Sequence, residues 1–233
     1  MRIVSLVPSS TETLLALGAD VVACSRFCEQ PDLPHVGGTK NPDIDAIVAL
    51  SPDLVVLDRE ENRVEDHDAL IAAGLEVIVS DVVDLAGAVD VVRLLADAAH
   101  LTTPYEDVEL PPAWSGPHRR AFVPIWRRPW MTISEATYGA SLLAHLGVDV
   151  IAFGDGAAYP TVELAEVASA APELVVVPSE PYEFGAAHLE ELRRAVETAA
   201  IVEVDGQDLF WWGIRTAGAI TRLSAALAPP PTA

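Results

Sequence analysis

The feature that most constrains the fold is a segment that occurs twice. Residues 51–56 read Ser-Pro-Asp-Leu-Val-Val, and residues 171–176 read Ala-Pro-Glu-Leu-Val-Val. A short amphipathic segment precedes each copy, at 44–50 and at 164–170. Each copy starts with a turn signal and continues as an apolar run, which is typical of a parallel strand buried on both faces. Because the flanking segments recur in the same order, an internal duplication is a better explanation than a chance repeat.

Apolar runs and helix signals alternate along both halves of the chain. This alternation is typical of parallel sheets whose strands are connected by helices, so we predict an α/β fold with two similar lobes. The predicted strands are residues 2–7, 21–23, 53–57, 77–79, 121–125, the second copy of the repeat and 201–204.

A long helix and a proline-rich stretch separate the two halves. Residues 85–99 carry an apolar stripe that predicts a helix, and residues 101–118 contain four prolines, which indicates an extended linker. The predicted domains are therefore an N-terminal lobe over 1–82, a linking helix and linker over 83–118, and a C-terminal lobe over 119–233.

Three patterns predict where helices begin. The segments 9–12 and 132–135 have the form of a capping box, with Ser9 as the N-cap of the first helix. Asn41-Pro42 places a proline where the first residue of a helix is expected.

The charge balance excludes one large class of partner. The chain has 14 basic and 35 acidic residues, a formal charge of −21, and this disfavours binding to nucleic acid. No apolar run approaches the roughly 20 residues that a membrane span requires. The first residues lack the basic, apolar and small-residue regions of a signal peptide, so a cytoplasmic location is expected for the chain as written.

Signals of catalysis and metal binding are weak. Cys24 and Cys28 are four residues apart, a spacing that suits two metal ligands on a helix, but the preceding residues predict a strand and we expect two ordinary thiols. The six histidines are scattered, without a zinc spacing or a nucleophile elbow, and no phosphate-binding glycine motif is present. We therefore expect a binding protein that is not an enzyme and has no intrinsic cofactor.

Ligands of open parallel sheets bind beyond the carboxyl ends of the strands. Aromatic residues gather at these positions in the second half, which suits a bulky, partly apolar ligand held in a cleft between the lobes. Packing roles are the alternative for each ring, and Ser9 and Ser10 either cap a helix or bind an anionic group. The candidate ligand contacts are Ser9, Ser10, Phe27, Cys28, Gly38, Arg59, Trp126, Trp130, Tyr159, Tyr182, Trp211, Trp212 and Arg215.

Several motifs resemble those of the BtuF-like cobalamin-binding substrate-binding proteins. They are residues 3–12, Cys28 with Pro31, Val36-Gly37-Gly38, Asn41-Pro42-Asp43 and residues 51–55. That family belongs to the helical-backbone metal receptors, or class III periplasmic binding proteins, whose relatives bind siderophores and haem. The resemblance implies two Rossmann-like lobes with parallel sheets, joined by a single linking α-helix, with cobalamin or a related corrinoid as the ligand.

The resemblance also implies a protein partner. Acidic residues on each lobe would dock an ABC permease, with Glu61 or Glu65 on the first lobe and Glu163 or Glu166 on the second. Two alternatives stay open at this point. One is a siderophore or haem binder, in which Arg127, Arg128 and Arg215 hold an anionic chelate. The other is a cytoplasmic enzyme or sensor that handles corrinoids.

Overall fold

The computed structural model describes residues 1–101, 108–154 and 156–228, so part of the predicted linker, at 102–107, lies outside the described residues. The chain divides into two units. Unit 1 comprises Met1–Val82, Ala86–Val108 and Trp212–Arg215, and unit 2 comprises Val83–Leu85, Glu109–Trp211 and Thr216–Ala233. The segment Trp212–Arg215 therefore belongs to unit 1, although the residues on both sides of it belong to unit 2.

Unit 1 is built on a parallel sheet of four strands. Its elements, in chain order, are β1 (Arg2–Ser5), α1 (Pro8–Ala16), β2 (Asp20–Cys24), β3 (Gly37–Gly38), β4 (Asn41–Pro42), α2 (Ile44–Leu50), β5 (Leu54–Asp58), α3 (Val64–Ala72), β6 (Val77–Ser80) and α4 (Leu85–Ala98). The strand order is β2-β1-β5-β6, and every neighbouring pair is parallel. The central strand β5 is buried along its whole length.

Unit 2 repeats this arrangement and adds a small antiparallel sheet. Its elements are β7 (Arg119–Phe122), β8 (Pro124–Trp126), β9 (Trp130–Thr132), α5 (Tyr138–His145), β10 (Val148–Val150), β11 (Thr161–Val162), α6 (Leu164–Ala170), β12 (Leu174–Pro178), α7 (Ala186–Ala195), β13 (Ala200–Val204), α8 (Gly206–Phe210) and α9 (Thr216–Leu227). The parallel sheet has the order β10-β7-β12-β13, and the small sheet has the order β11-β9-β8. The predicted fold class, α/β with parallel sheets in two lobes, is confirmed.

The duplication extends to individual hydrogen bonds. In unit 1, the Arg2 N–H donates to the Asp53 carboxylate at 2.7 Å, and the Asp53 N–H donates to the Arg2 carbonyl at 2.8 Å. In unit 2, the Arg120 N–H donates to the Glu173 carboxylate at 2.9 Å, and the Glu173 N–H donates to the Arg120 carbonyl at 2.9 Å. The same acidic residue of the repeat therefore fixes the start of the central strand in both units.

The predicted start of the first helix is wrong by one position. Pro8, not Ser9, begins α1, and the N-cap is Val7, which makes no side-chain cap hydrogen bond. Proline suits the first position of a helix because it has no N–H that would lack a partner there. Ser9 therefore lies inside the helix, where its hydroxyl is free to bind a different part of the chain.

The other two predicted helix starts are also wrong, because both segments pair as strands. Asn41–Pro42 pairs with Gly37–Gly38, and α2 begins only after Asp43, whose carboxylate accepts the Ala46 N–H at 3.0 Å. Thr132 pairs with Pro124 in the small sheet, and Thr137 is the N-cap of α5. Pairing within these two short hairpins overrides the capping patterns.

The equivalent helices α2 and α6 end in the same unusual way. Their C-cap residues, Ser51 and Ala171, both have φ of 48° in the left-handed region. Residues with a Cβ atom are disfavoured in this conformation, and glycine adopts it freely.

We expect Ser51→Gly and Ala171→Gly each to stabilise the protein by about 0.5–1 kcal/mol, because glycine removes this backbone strain. Ala168→Gly, in the exposed middle of α6, is the control and should destabilise by about 1 kcal/mol. Urea unfolding followed by circular dichroism measures all three, and a loss of stability in both cap variants would contradict the left-handed caps.

Candidate functional site

An aromatic cluster lies where strands of unit 2 end. Trp126 is the last residue of β8, and Tyr182 and Phe184 follow β12. The Trp126 and Tyr182 rings meet edge to face with centroids 5.2 Å apart, and Tyr182 lies 4.8 Å from Phe184. Trp130 stacks on Phe184 at 5.8 Å with nearly parallel rings. We call Trp126 and Tyr182 the outer pair, because Trp126 is 44% exposed whereas Trp130 is only 5% exposed.

An ion pair fixes the inner side of this cluster. The Arg127 guanidinium donates two hydrogen bonds to the Glu191 carboxylate, at 3.1 and 2.8 Å, and lies 4.9 Å from the centre of the Trp130 ring. The Trp130 indole N–H donates to the same carboxylate at 3.4 Å. Hydrogen bonding from Arg127 lowers the pKa of Glu191. Trp130 is therefore held in a fixed orientation against Phe184, which in turn contacts Tyr182 of the outer pair.

His188 holds the loop that carries Tyr182. Its Nδ1 atom accepts the Gly185 N–H at 3.0 Å, at the start of α7. The Nε2 atom then lies 3.5 Å from the Tyr182 hydroxyl, and the imidazole meets the rings of Tyr182 and Phe184 edge to face. Neither His188 nor Glu191 stands out in the sequence, because the aromatic and arginine side chains that they contact lie in other strands or loops.

A shallow groove lies beside the ion pair. Its volume is about 230 Å³, and it is lined by Arg127, Pro129, Trp130, Val162, Glu163, Leu164 and Glu191. This volume is below the 300–1,000 Å³ that is typical of small-molecule pockets, so the groove by itself does not enclose a large ligand.

Unit 1 presents a second ring at the end of β2. Phe27 is 49% exposed, and the Arg26 guanidinium lies 5.0 Å from the centre of its ring. Gly38 lies next to this pair, and a Cβ atom at that position would come within 2.6 Å of the Asn41 side chain and 3.1 Å of the Arg26 guanidinium. The glycine therefore permits a close approach that a side chain would prevent. Sequence reasoning missed Arg26, although its place beside Phe27 was a usable signal.

The loop after β5 is supported by buried polar groups. The Asp58 carboxylate accepts hydrogen bonds from the Ser80 hydroxyl at 2.8 Å and the Glu60 N–H at 2.9 Å, and its burial raises the pKa of Asp58. The Asn62 amide donates to the Thr39 carbonyl at 2.8 Å, and the Lys40 ammonium donates to the Glu60 carbonyl. These contacts join the β3–β4 hairpin to the loop and fix its shape.

The four predicted docking residues are all exposed. Protein atoms nevertheless crowd the carboxyl group of Glu61, and this crowding, together with the charge of Asp58, raises the pKa of Glu61. Glu65 lies in the first turn of α3. Glu163 is the N-cap of α6, and its N–H donates to the Glu166 carboxylate at 2.9 Å.

The two cysteines are free thiols, and both are buried. The Cys28 sulfur lies 3.2 Å from the Thr11 hydroxyl and 3.2 Å from the Ser25 hydroxyl. Hydrogen bonding between the thiols lowers the pKa of Cys28 and raises the pKa of Cys24. Within the described ranges, no group of three or more His, Cys, Asp or Glu side chains is arranged to hold a metal ion.

Two predicted ligand contacts, Ser9 and Trp212, join distant parts of unit 1. The Ser9 hydroxyl accepts the Trp212 N–H at 3.3 Å, and the Thr13 hydroxyl accepts the Ile214 N–H at 3.2 Å. Trp212 is 6% exposed. The Ser9 hydroxyl can accept this bond because Ser9 lies within α1 and does not cap it.

Gly213 and Arg215, in the same Trp212–Arg215 segment, also lie against α1. The Arg215 guanidinium lies 2.8 Å from the Glu12 carboxylate in a largely buried ion pair. Gly213 has φ of 97°, and a Cβ atom there would collide with the Thr13 hydroxyl. Ser10 is fully buried in α1, and its hydroxyl has no hydrogen-bond partner in the part of the chain that is described.

Three further predicted contacts are Arg59, Tyr159 and Trp211. Arg59 is exposed and pairs with Asp81 at 2.7 Å. Tyr159 is exposed. The Trp211 carbonyl accepts a hydrogen bond from the Tyr138 hydroxyl at 3.5 Å. The structure thus brings Trp126, Trp130 and Tyr182 together in unit 2, and Ser9, Trp212 and Arg215 together in unit 1.

Comparison with known proteins identifies this architecture. Residues 3–109 match the family of periplasmic binding proteins. A vitamin B12-binding protein of Yersinia pestis is 28% identical over 193 residues, which cover 76% of this chain and 69% of the relative. The chain is therefore similar to vitamin B12-binding proteins over about three quarters of its length, 76%.

Solved structures agree on the fold. The periplasmic vitamin B12-binding protein BtuF of Vibrio cholerae superposes with a TM-score of 0.75 at 22% identity, covering 97% of this chain and 96% of that one. The haem-binding protein HutB of Vibrio cholerae gives a TM-score of 0.76 at 19% identity, covering 98% and 99%. These likenesses show that the chain shares the two-lobed α/β fold of these two proteins, which is the fold that the resemblance implied.

One expectation is wrong. The matching family and the solved relatives are periplasmic binding proteins, and this conflicts with the cytoplasmic location expected from the first residues. Those residues form strand β1 and reflect the folding of unit 1, which gives no information about export. Among the described residues, no helix is both long and apolar enough to cross a membrane.

We expect Glu191→Gln to destabilise the protein at pH 7 by about 1 kcal/mol, allowing for solvent screening of a partly exposed pair. The folded-state pKa of Glu191 lies below its ordinary value of 4.5, so this stabilisation is present above pH 4.5 and is lost as the pH falls through the folded-state pKa.

The difference between Glu191→Gln and the wild type should therefore shrink in urea unfolding at pH 3. Glu190→Gln, on the same helix, is the matched control. Its partner Arg194 is exposed, so its effect should be no more than about 0.5 kcal/mol. A Glu191→Gln effect that stays constant with pH would show that the ion pair is not its cause.

Proposed function

We propose that this protein binds a cobalamin-type corrinoid and delivers it to an ABC-type uptake system, and that it does not catalyse a reaction. The B12-binding relative supports this ligand class, and the matching family supports a binding role. The predicted cleft between the lobes stays a prediction, so the proposal rests on the surface of unit 2 itself.

The observation that carries the proposal is the outer pair. Trp126 exposes a large indole surface to water, although burying such a ring is favourable. Tyr182 braces it edge to face, and Phe184 and His188 brace Tyr182 in turn. The exposed ring is therefore pre-organised, so that little conformational entropy is lost when a flat, bulky ligand covers it.

The charges near the rings favour a corrinoid over an anionic chelate. Three arginines were candidates for binding such a chelate. Glu191 neutralises Arg127, and Glu12 neutralises Arg215, so neither brings an uncompensated charge to a ligand. Haem or a ferric siderophore remains the second candidate, and exposed Arg128 is the observation that favours it.

Two side chains of unit 1 that could take part in a reaction already form hydrogen bonds within the fold. Cys28 is buried against two hydroxyl groups, and Asp58 is buried and bonded to Ser80. Both groups fix loops at the carboxyl edge of the sheet. This favours a binding role over the alternative of an enzyme that handles corrinoids.

Trp126→Ala should weaken corrinoid binding by roughly tenfold, because covering the exposed half of an indole contributes on the order of 1–2 kcal/mol. Titration of the purified protein with cyanocobalamin, dicyanocobinamide, haemin and a ferric siderophore, followed by tryptophan fluorescence or calorimetry, measures this effect.

Trp114→Phe is the matched control. Trp114 is also an exposed tryptophan of unit 2, but its backbone N–H donates to the His145 carbonyl at 2.8 Å and its indole N–H donates to the Pro117 carbonyl at 3.1 Å. The proposal fails if none of the four compounds binds the wild type, or if Trp126→Ala and Trp114→Phe bind the corrinoid equally well.

The duplication indicates different docking residues in unit 1 from Glu61 and Glu65, which the sequence had suggested. Glu163 and Glu166 lie at the start of α6, and the equivalent helix of unit 1 is α2. That helix begins with two acidic residues, Asp43 and Asp45. We therefore infer that a permease contacts the starts of α2 and α6, where Asp43 and Glu163 are equivalent in the repeat and Asp45 and Glu166 lie one position apart in it.

We expect a variant with Asp45→Asn and Glu166→Gln to bind corrinoid as the wild type does and to lose corrinoid uptake. Uptake of labelled cyanocobalamin by cells that depend on this protein measures the loss. The matched control is Glu61→Gln with Glu65→Gln, which should transport normally. Equal loss in both double variants would contradict docking through α2 and α6.

A further inference from the structure

The tip of the β8–β9 hairpin carries two arginines, which have no role in ligand binding by the aromatic rings alone. The residues between the two strands are Arg127, Arg128 and Pro129, with Trp126 and Trp130 on either side. This hairpin therefore presents two arginines beside the exposed ring of the outer pair.

Arg128 has a strained backbone. Its φ is 77°, in the left-handed region that glycine adopts freely and that residues with a Cβ atom rarely adopt. Strained residues are concentrated at functional sites, where the side chain has a role that outweighs the cost of the backbone conformation. The strain alone does not say what that role is, but the surroundings of the side chain do.

The two arginines of the tip have different environments. Arg127 is partly buried and bonded to Glu191. Arg128 is exposed, and its guanidinium forms no hydrogen bond or ion pair with any described residue. Other arginines of the chain do pair with carboxylates, as Arg63 does with Asp66 and Arg222 does with Asp208. In a chain with 35 acidic residues, an uncompensated arginine at the ligand edge is a specific arrangement.

We propose that Arg128 is a specificity-determining residue that binds an oxyanion, a carboxylate or a phosphodiester, at the periphery of the ligand. This inference rests on the proposed function, because it assumes that the ligand covers Trp126. The planar guanidinium donates two parallel hydrogen bonds to such a group, and the flat part of the ligand then lies on the neighbouring ring.

Three ligands distinguish the sources of the oxyanion. Cyanocobalamin carries a phosphodiester, haemin carries two carboxylates, and dicyanocobinamide is a corrinoid that has neither. Calorimetry with the purified wild type and with Arg128→Gly measures the affinity for each. Glycine removes the guanidinium and also relieves the backbone strain, so a folding defect is not expected to mask the result.

Arg128→Gly should weaken the binding of the oxyanion-bearing ligands that bind the wild type by about tenfold, and leave the affinity for dicyanocobinamide within about twofold. Arg128→Lys, which keeps the charge but loses the planar fork, should show an intermediate affinity. The urea midpoint of Arg128→Gly should be equal to or higher than that of the wild type. Arg193→Ala, which removes an exposed charge on α7, is the control and should bind all ligands normally.

Two results would overturn the inference while the proposed function survives. One is an unchanged affinity of Arg128→Gly for every oxyanion-bearing ligand. The other is an equal loss for cyanocobalamin and dicyanocobinamide, which would mean that Arg128 shapes the hairpin and does not bind an oxyanion. Failure of the wild type to bind any of the three ligands would refute the proposed function itself, and the inference with it.

Discussion

Burial of β5 and β12 on both faces is the constraint on which the rest of the structure depends. Each of these strands is inaccessible to solvent along its whole length, so helices must cover both sides of each sheet. A polar group in the middle of such a sheet would lose its water without gaining a partner. The side chains that can meet a ligand are consequently confined to the loops at the strand ends, where Trp126, Tyr182, Phe27 and Arg59 lie.

The supports of the aromatic cluster and of α1 both join residues that are distant in sequence. Arg127 and Glu191, 64 positions apart, orient the buried Trp130 ring through hydrogen bonds and a cation–π contact. Near α1, Ser9 accepts a hydrogen bond from Trp212, which is 203 positions away. Both arrangements use buried or partly buried polar contacts to specify one geometry where apolar packing alone would permit several.

The strands and the duplication could be predicted from sequence because their signals are local. An apolar run after a Pro-Asp or Pro-Glu turn identifies β5 and β12 without knowledge of their neighbours. The helix starts could not be predicted as reliably, since Thr132 and Pro42 take part in sheet pairs that the capping pattern does not contain. The distinction between exposed Trp126 and buried Trp130 depends on the register of a short hairpin, and the partner of Arg215 depends on folding that brings Glu12 to it.

The net negative charge of the chain affects which ligands can reach the exposed rings. At −21, the protein repels anions at distances up to a Debye length of about 8 Å, and a dianionic chelate must overcome that repulsion to reach the rings. A corrinoid with amide groups on its periphery carries little net charge and is repelled far less. A single uncompensated guanidinium at Arg128 can then favour one oxyanion locally without attracting anions in general. Under the proposed role of Arg128, long-range repulsion combined with one local cation would discriminate between ligands of similar size and shape by the number and position of their negative charges.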